Sequence, residues 1–126
     1  MNTVSTVSRI VLGLLFTVFG LNGFLNFLPM PPLPEGLATQ FLGALMDSHF
    51  MTVVFAIELV AGVLLLANRY VPLALAMLSP VIVNIVLFHA LMEPNGAAPA
   101  ILASVLWLLT IRRVWPAFAG LFEQRA

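Results

Sequence analysis

Residues 55–70 read FAIELVAGVLLLANRY, an apolar run interrupted only by the carboxyl of Glu58 until Asn68 and Arg69 close it. Taken back to residue 50, the run approaches the ~20 helical residues that cross a hydrocarbon layer ~30 Å thick. Working outward, residues 10–28 (IVLGLLFTVFGLNGFLNFL) and 71–92 have the same character. A fourth run at 97–111, AAPAILASVLWLLTI, is short. It reaches 115 if Arg112 and Arg113 snorkel and Trp115 lies in the interfacial belt. None of these runs alternates as a barrel strand would, so helices are the form that satisfies their backbone groups in lipid. The expected fold is all-α: one integral membrane domain over 1–126, a four-helix bundle with helices at about 7–28, 50–67, 71–92 and 97–115.

Composition agrees. Hydrophobic residues make up 62% of the 126 and charged residues 8%, against roughly 25% charged in a soluble domain. There is no lysine and the net charge is zero, so no basic patch invites nucleic acid. Cysteine is absent, which excludes disulfides, thiolate metal sites and a thiol relay within this chain. The first run contains Asn22 and Asn26 and ends without a small-x-small cleavage pattern, so it reads as a helix rather than a secretory signal.

Charge placement gives the topology. Arg9, Arg69, Arg112, Arg113 and Arg125 all fall on one side of four spans, and the positive-inside rule makes that side cytoplasmic. Both termini are therefore expected inside. Glu35, Asp47 and Glu93 fall outside. The outer connection opens with PMPPLP, which favours an extended path. It continues with Leu37, Phe41, Leu42, Leu45 and Met46 at helical spacing, the pattern of a short amphipathic segment between helices 1 and 2. Near the C-terminus, Phe118, Leu121 and Phe122 share a face and predict an interfacial tail. Gly13, Gly20 and Gly23 form a small-residue seam that would let helices approach closely.

At ~1.5 Å of rise per residue, the intramembrane polar groups gather in the outer half. Asn22 and Asn26 lie there on the first helix, Glu58 ~12 Å below the outer surface, Asn84 just outside the midplane and His89 near the rim. A buried charge costs at least ~2.5 kcal/mol at mid-membrane, so Glu58 is expected to face inward, protonated or sharing a proton with His89. These five residues are the candidate polar pocket. They serve equally as glue between helices, at ~0.6 kcal/mol per hydrogen bond. His89 with Glu58 and Glu93 lacks the paired spacing of a metal site, and none is expected. Pro80 is expected to kink its helix and free the carbonyl of residue 76.

GLNGF at 20–24, the proline-rich segment after it, IELVAGVLLL at 57–66 and SPVIVNIVLFH at 79–89 together resemble the DoxX-like family of small four-helix membrane proteins. The resemblance runs from about Arg9 to Ile111, and its family-like positions are Asn22, Gly23, Glu58, Gly62, Asn84 and His89. It implies a multi-pass protein of a bacterial inner membrane and a small subunit of a quinone-linked redox complex. The expected partners are the lipid bilayer, another membrane or soluble redox subunit, and further copies of the chain. A quinone is the ligand the pocket would take, with Glu58 and His89 handling protons. Two other readings use the same residues: permeation of a small solute or proton, and a purely structural anchor.

Overall fold

A computed structural model describes residues 3–30 and 32–125, and these form helices with no strand among them. The chain runs through α1 (Thr3–Leu25), α2 (Leu37–Asp47), α3 (Phe50–Ala67), α4 (Val71–Leu91), α5 (Ala98–Val114) and α6 (Pro116–Ala119). Single 3-10 turns at Pro94–Gly96 and Gly120–Phe122 complete it. α1, α3 and α4 are each long and apolar enough to cross a membrane, and α5 with its bent continuation makes a fourth candidate. Helices of this kind mark an integral, multi-pass membrane protein, and side chains such as Val53, Leu73, Val83 and Leu108, all more than half exposed, meet lipid.

The ends of these helices are written locally. α1 stops at Leu25 rather than at 28, because Asn26 adopts a left-handed conformation at φ 51° and donates its N–H to the Asn22 carbonyl. Asn68 ends α3 in the same way at φ 54°, a conformation asparagine tolerates better than most residues. Gly36 precedes α2 at φ 150° and ψ −164°, a region open in practice to glycine alone. α5 ends before 115: Pro116 cannot continue its hydrogen-bond ladder, and the chain turns by 88° into α6.

α1 packs against α3 and α5, and α4 closes the ring by touching the same two. Neighbours run antiparallel, as shown by Gly13 lying against Leu65 and Leu66 while Gly23 lies against Phe55. Ser5, Arg9, Asn68, Val71 and Arg113 meet around one cavity, which puts the start of α1, the α3–α4 turn and the end of α5 together at an arginine end. Phe118 returns beneath this end into the core, while Leu121 and Phe122 stay exposed. The three side chains expected to share one face of the tail are therefore divided.

The core is asymmetric along the axis. Leu12, Phe16, Ala61, Leu65, Ala74, Leu75 and Leu78 are essentially sealed. Burial in α3 begins only at Glu58, and in α4 it stops at Ile82. The opposite, acid end is looser. There the expected amphipathic helix is present as α2, which rests on α3 with Ala38 buried and stacks Phe41 on Phe88 of α4, ring centres 6.0 Å apart.

Candidate functional site

Glu58 lies beside a close approach of α1 and α3. A Cβ on Gly62 would fall 2.5 Å from Thr17 Oγ1 and 2.9 Å from the Gly13 carbonyl. One on Gly20 would fall 2.7 Å from the Leu59 nitrogen. Only glycine permits this approach, so α1 and α3 touch backbone to backbone. Glu58 directly precedes Leu59 on α3, one turn before Gly62, and is 6% exposed, facing the interior as its cost in lipid demands. Its Oε2 is buried with no hydrogen-bond partner among the described residues. Thr17 Oγ1, beside Gly62 one turn away, is in the same condition. A carboxyl oxygen left without a partner in such surroundings carries a desolvation cost.

The other four candidates do not turn toward that carboxyl. Asn22 is buried, but its Oδ1 accepts the backbone N–H of Leu28 at 2.7 Å. Asn26 is exposed and supplies the left-handed turn. The pair expected to stack inside a pocket is instead the device that ends α1. Asn84 is exposed and donates Nδ2–H to the Pro80 carbonyl at 2.8 Å. The Ala76 carbonyl left without its usual partner by Pro80 accepts the Ser79 hydroxyl at 2.9 Å. Around the proline, then, α4 satisfies itself. Trp107 reaches across from α5 to donate Nε1–H to the Leu75 carbonyl at 2.9 Å.

His89 belongs to a different feature. Its Nδ1 lies 2.9 Å from the Glu93 carbonyl oxygen. A carbonyl only accepts, so Nδ1 carries the hydrogen and Nε2 of the neutral ring keeps its lone pair. Gly96 makes room: a Cβ there would come 3.0 Å from the imidazole Cε1. The ring borders a groove of about 270 Å³ between α4 and α5 at the acid end, lined also by Val86, Ala90, Pro94, Ala97, Ala100 and Ile101. Apart from one imidazole, every lining side chain is apolar. Glu58 lines neither this groove nor the cavity at the arginine end.

No side chain among Asn22, Asn26, Glu58, Asn84 and His89 hydrogen-bonds another of the five. Among the described residues no group of three His, Asp or Glu is placed to hold a metal ion. Sequence reasoning missed both the groove and Thr17. Ala97 and Ala100, which line the groove with Ala90, were the available signal, since small residues on neighbouring helices either draw them together or leave a gap. Comparisons with models of known protein families, with curated proteins and with solved structures found no match.

Proposed function

We propose that this chain is a four-helix membrane bundle with both termini cytoplasmic, acting as a small subunit of a quinone-linked redox assembly of the DoxX-like kind. The arginine end supplies the orientation, since arginines gather on cytoplasmic loops. The ligand is a quinone-type headgroup, and its seat is the groove beside His89 rather than the surroundings of Glu58. One observation carries this reading: an apolar groove of about 270 Å³ whose single polar side chain is an imidazole with its tautomer fixed by the Glu93 carbonyl. Apolar walls with one placed polar group suit a flat, weakly polar ring. When bound, the ring supplies the electron chemistry, and a redox partner in the assembly exchanges the electrons. The chain supplies the walls and a basic nitrogen, His89 Nε2, that accepts the hydroxyl hydrogen of the reduced ring.

The test is quinol binding by the purified protein in mild detergent. His89→Phe is expected to weaken binding about tenfold, the worth of one hydrogen bond at ~1.4 kcal/mol. Ala97→Leu, which fills the groove, should abolish binding while leaving the melting temperature nearly unchanged. Glu58→Gln should bind as the parent does. Binding indifferent to both His89→Phe and Ala97→Leu would remove the reading.

A second reading, permeation of a proton or small solute, draws on the unpartnered Glu58 Oε2 and Thr17 Oγ1 inside the α1–α3 contact. The aliphatic core between them and the arginine end weighs against a continuous polar path. Proteoliposome flux unaffected by Glu58→Gln would eliminate it.

A further inference from the structure

The arginine end holds a second concavity, unlike the groove in every respect. Ser5, Thr6, Arg9, Asn68, Thr110 and Arg113 are among the residues lining a cavity of about 310 Å³ between α1, α5 and the α3–α4 turn. We infer that this cavity binds a phosphate group, and that its source is the headgroup of an anionic membrane lipid. This assignment is independent of the quinone reading and of the groove.

The electrostatics point one way. Two guanidiniums line the cavity and no acidic side chain does. Arg113 makes no ion pair among the described residues, and neither does Arg9. Arg9 donates through Nη1 to the Leu65 carbonyl at the end of α3, which anchors its head and leaves further N–H groups for a ligand. That contact also offsets the negative end of α3, while Arg112 and Arg113 offset that of α5. The first turns of α1 and α4, represented by Ser5, Thr6 and Val71, bring their positive ends to the same cavity. Guanidinium forks match phosphate oxygens in geometry as well as charge.

The flank of the cavity favours a lipid over a free ion. Val114 lines it, and Trp115 follows at 46% exposure, its ring 5.7 Å from that of Phe122. Leu121 and Phe122 are 75% and 70% exposed. An apolar shelf beside a cationic hollow is what a headgroup with acyl chains would meet, and basic pockets between spans on the cytoplasmic side are suited to such lipids.

The test uses the whole chain in a neutral, non-phosphate detergent, with native mass spectrometry and thermal melting. The probes are phosphatidylglycerol, diacylglycerol lacking the phosphate, and inorganic phosphate. Phosphatidylglycerol should be retained and raise the melting temperature, and diacylglycerol should do neither. Arg113→Gln should weaken retention about tenfold, as loss of a charge-assisted hydrogen bond does, and Arg113→Lys should restore part of it. Arg112→Gln, outside the cavity, should behave as the parent. Inorganic phosphate binding with the same dependence on Arg113, in the absence of lipid retention, would keep the phosphate site and reassign its source to a free ion. Equal retention of diacylglycerol, equal loss in Arg112→Gln and Arg113→Gln, or no binding of any probe would overturn the assignment.

Discussion

Small residues do opposite things in the α1–α3 and α4–α5 pairs. Between α1 and α3, Gly13, Gly20 and Gly62 bring two backbones into contact and exclude everything else. Between α4 and α5, Trp107 ties the middle to the Leu75 carbonyl, and beyond it Ala90, Ala97 and Ala100 are too small to fill the space that opens. The glycine seam of the first pair contains the acid, and its glycines line neither cavity. The second contains an imidazole and a groove. A buried ionisable group and an apolar groove are thus separate features of this fold, although residue depth alone makes Glu58 and His89 look like parts of one pocket.

The contrast breaks most easily at Gly62. Gly62→Val forces new carbons against Thr17 and the Gly13 carbonyl, both backbone-borne or rigid, and is expected to cost about 3 kcal/mol or more. Loss of monodisperse protein on fluorescence-detected size exclusion would register it. A variant as stable as the parent would mean that α1 and α3 are not in backbone contact. Glu58→Leu sharpens the same seam in the other direction. Because Oε2 has no partner, replacing the carboxyl with an apolar side chain removes a desolvation cost and should raise stability by about 1–2 kcal/mol in denaturant titration. Destabilisation of similar size would show that Glu58 has a partner in the membrane. The smallest effects compare two asparagines. Asn22→Ala removes the acceptor of the Leu28 N–H and should cost about 1 kcal/mol. Asn84→Ala, whose amide only repeats a bond to its own helix, should change stability by less than about 0.5 kcal/mol.

Much of the helical framework was legible because composition and length govern it. The 50–67 run and α3 coincide, as do 71–92 and α4 within a residue, since flanking Asn68, Arg69 and Tyr70 interrupt the apolar pattern sharply. The short helix after the prolines and the glycine seam were also readable, because periodicity and the absence of side chains act locally. The end of α1 was not. Asn26 looks like a polar residue within a span until it is seen to take a left-handed conformation, which one residue's identity only permits.

The candidate site was legible in level but not in direction. Rise per residue places Asn84 near Glu58 in depth, yet a helical side chain also has an azimuth, and Asn84 and Asn26 point away from the interior. The inward orientation of Glu58 could be foreseen because a mid-membrane carboxyl has so few tolerable alternatives. Amides are cheaper to place, and a local backbone acceptor satisfies them without a neighbouring helix. His89 lies in the last turn of α4, and its partner is four residues away in the loop it borders.

The separation of acid from ligand seat is tested most directly by photolabelling the purified protein with an azido-quinone and mapping the modified peptides. Labels within residues 86–101, on the α4–α5 groove, are expected, with labelling suppressed by Ala97→Leu. Labels concentrated at 55–62 around Glu58, undiminished by that substitution, would contradict it.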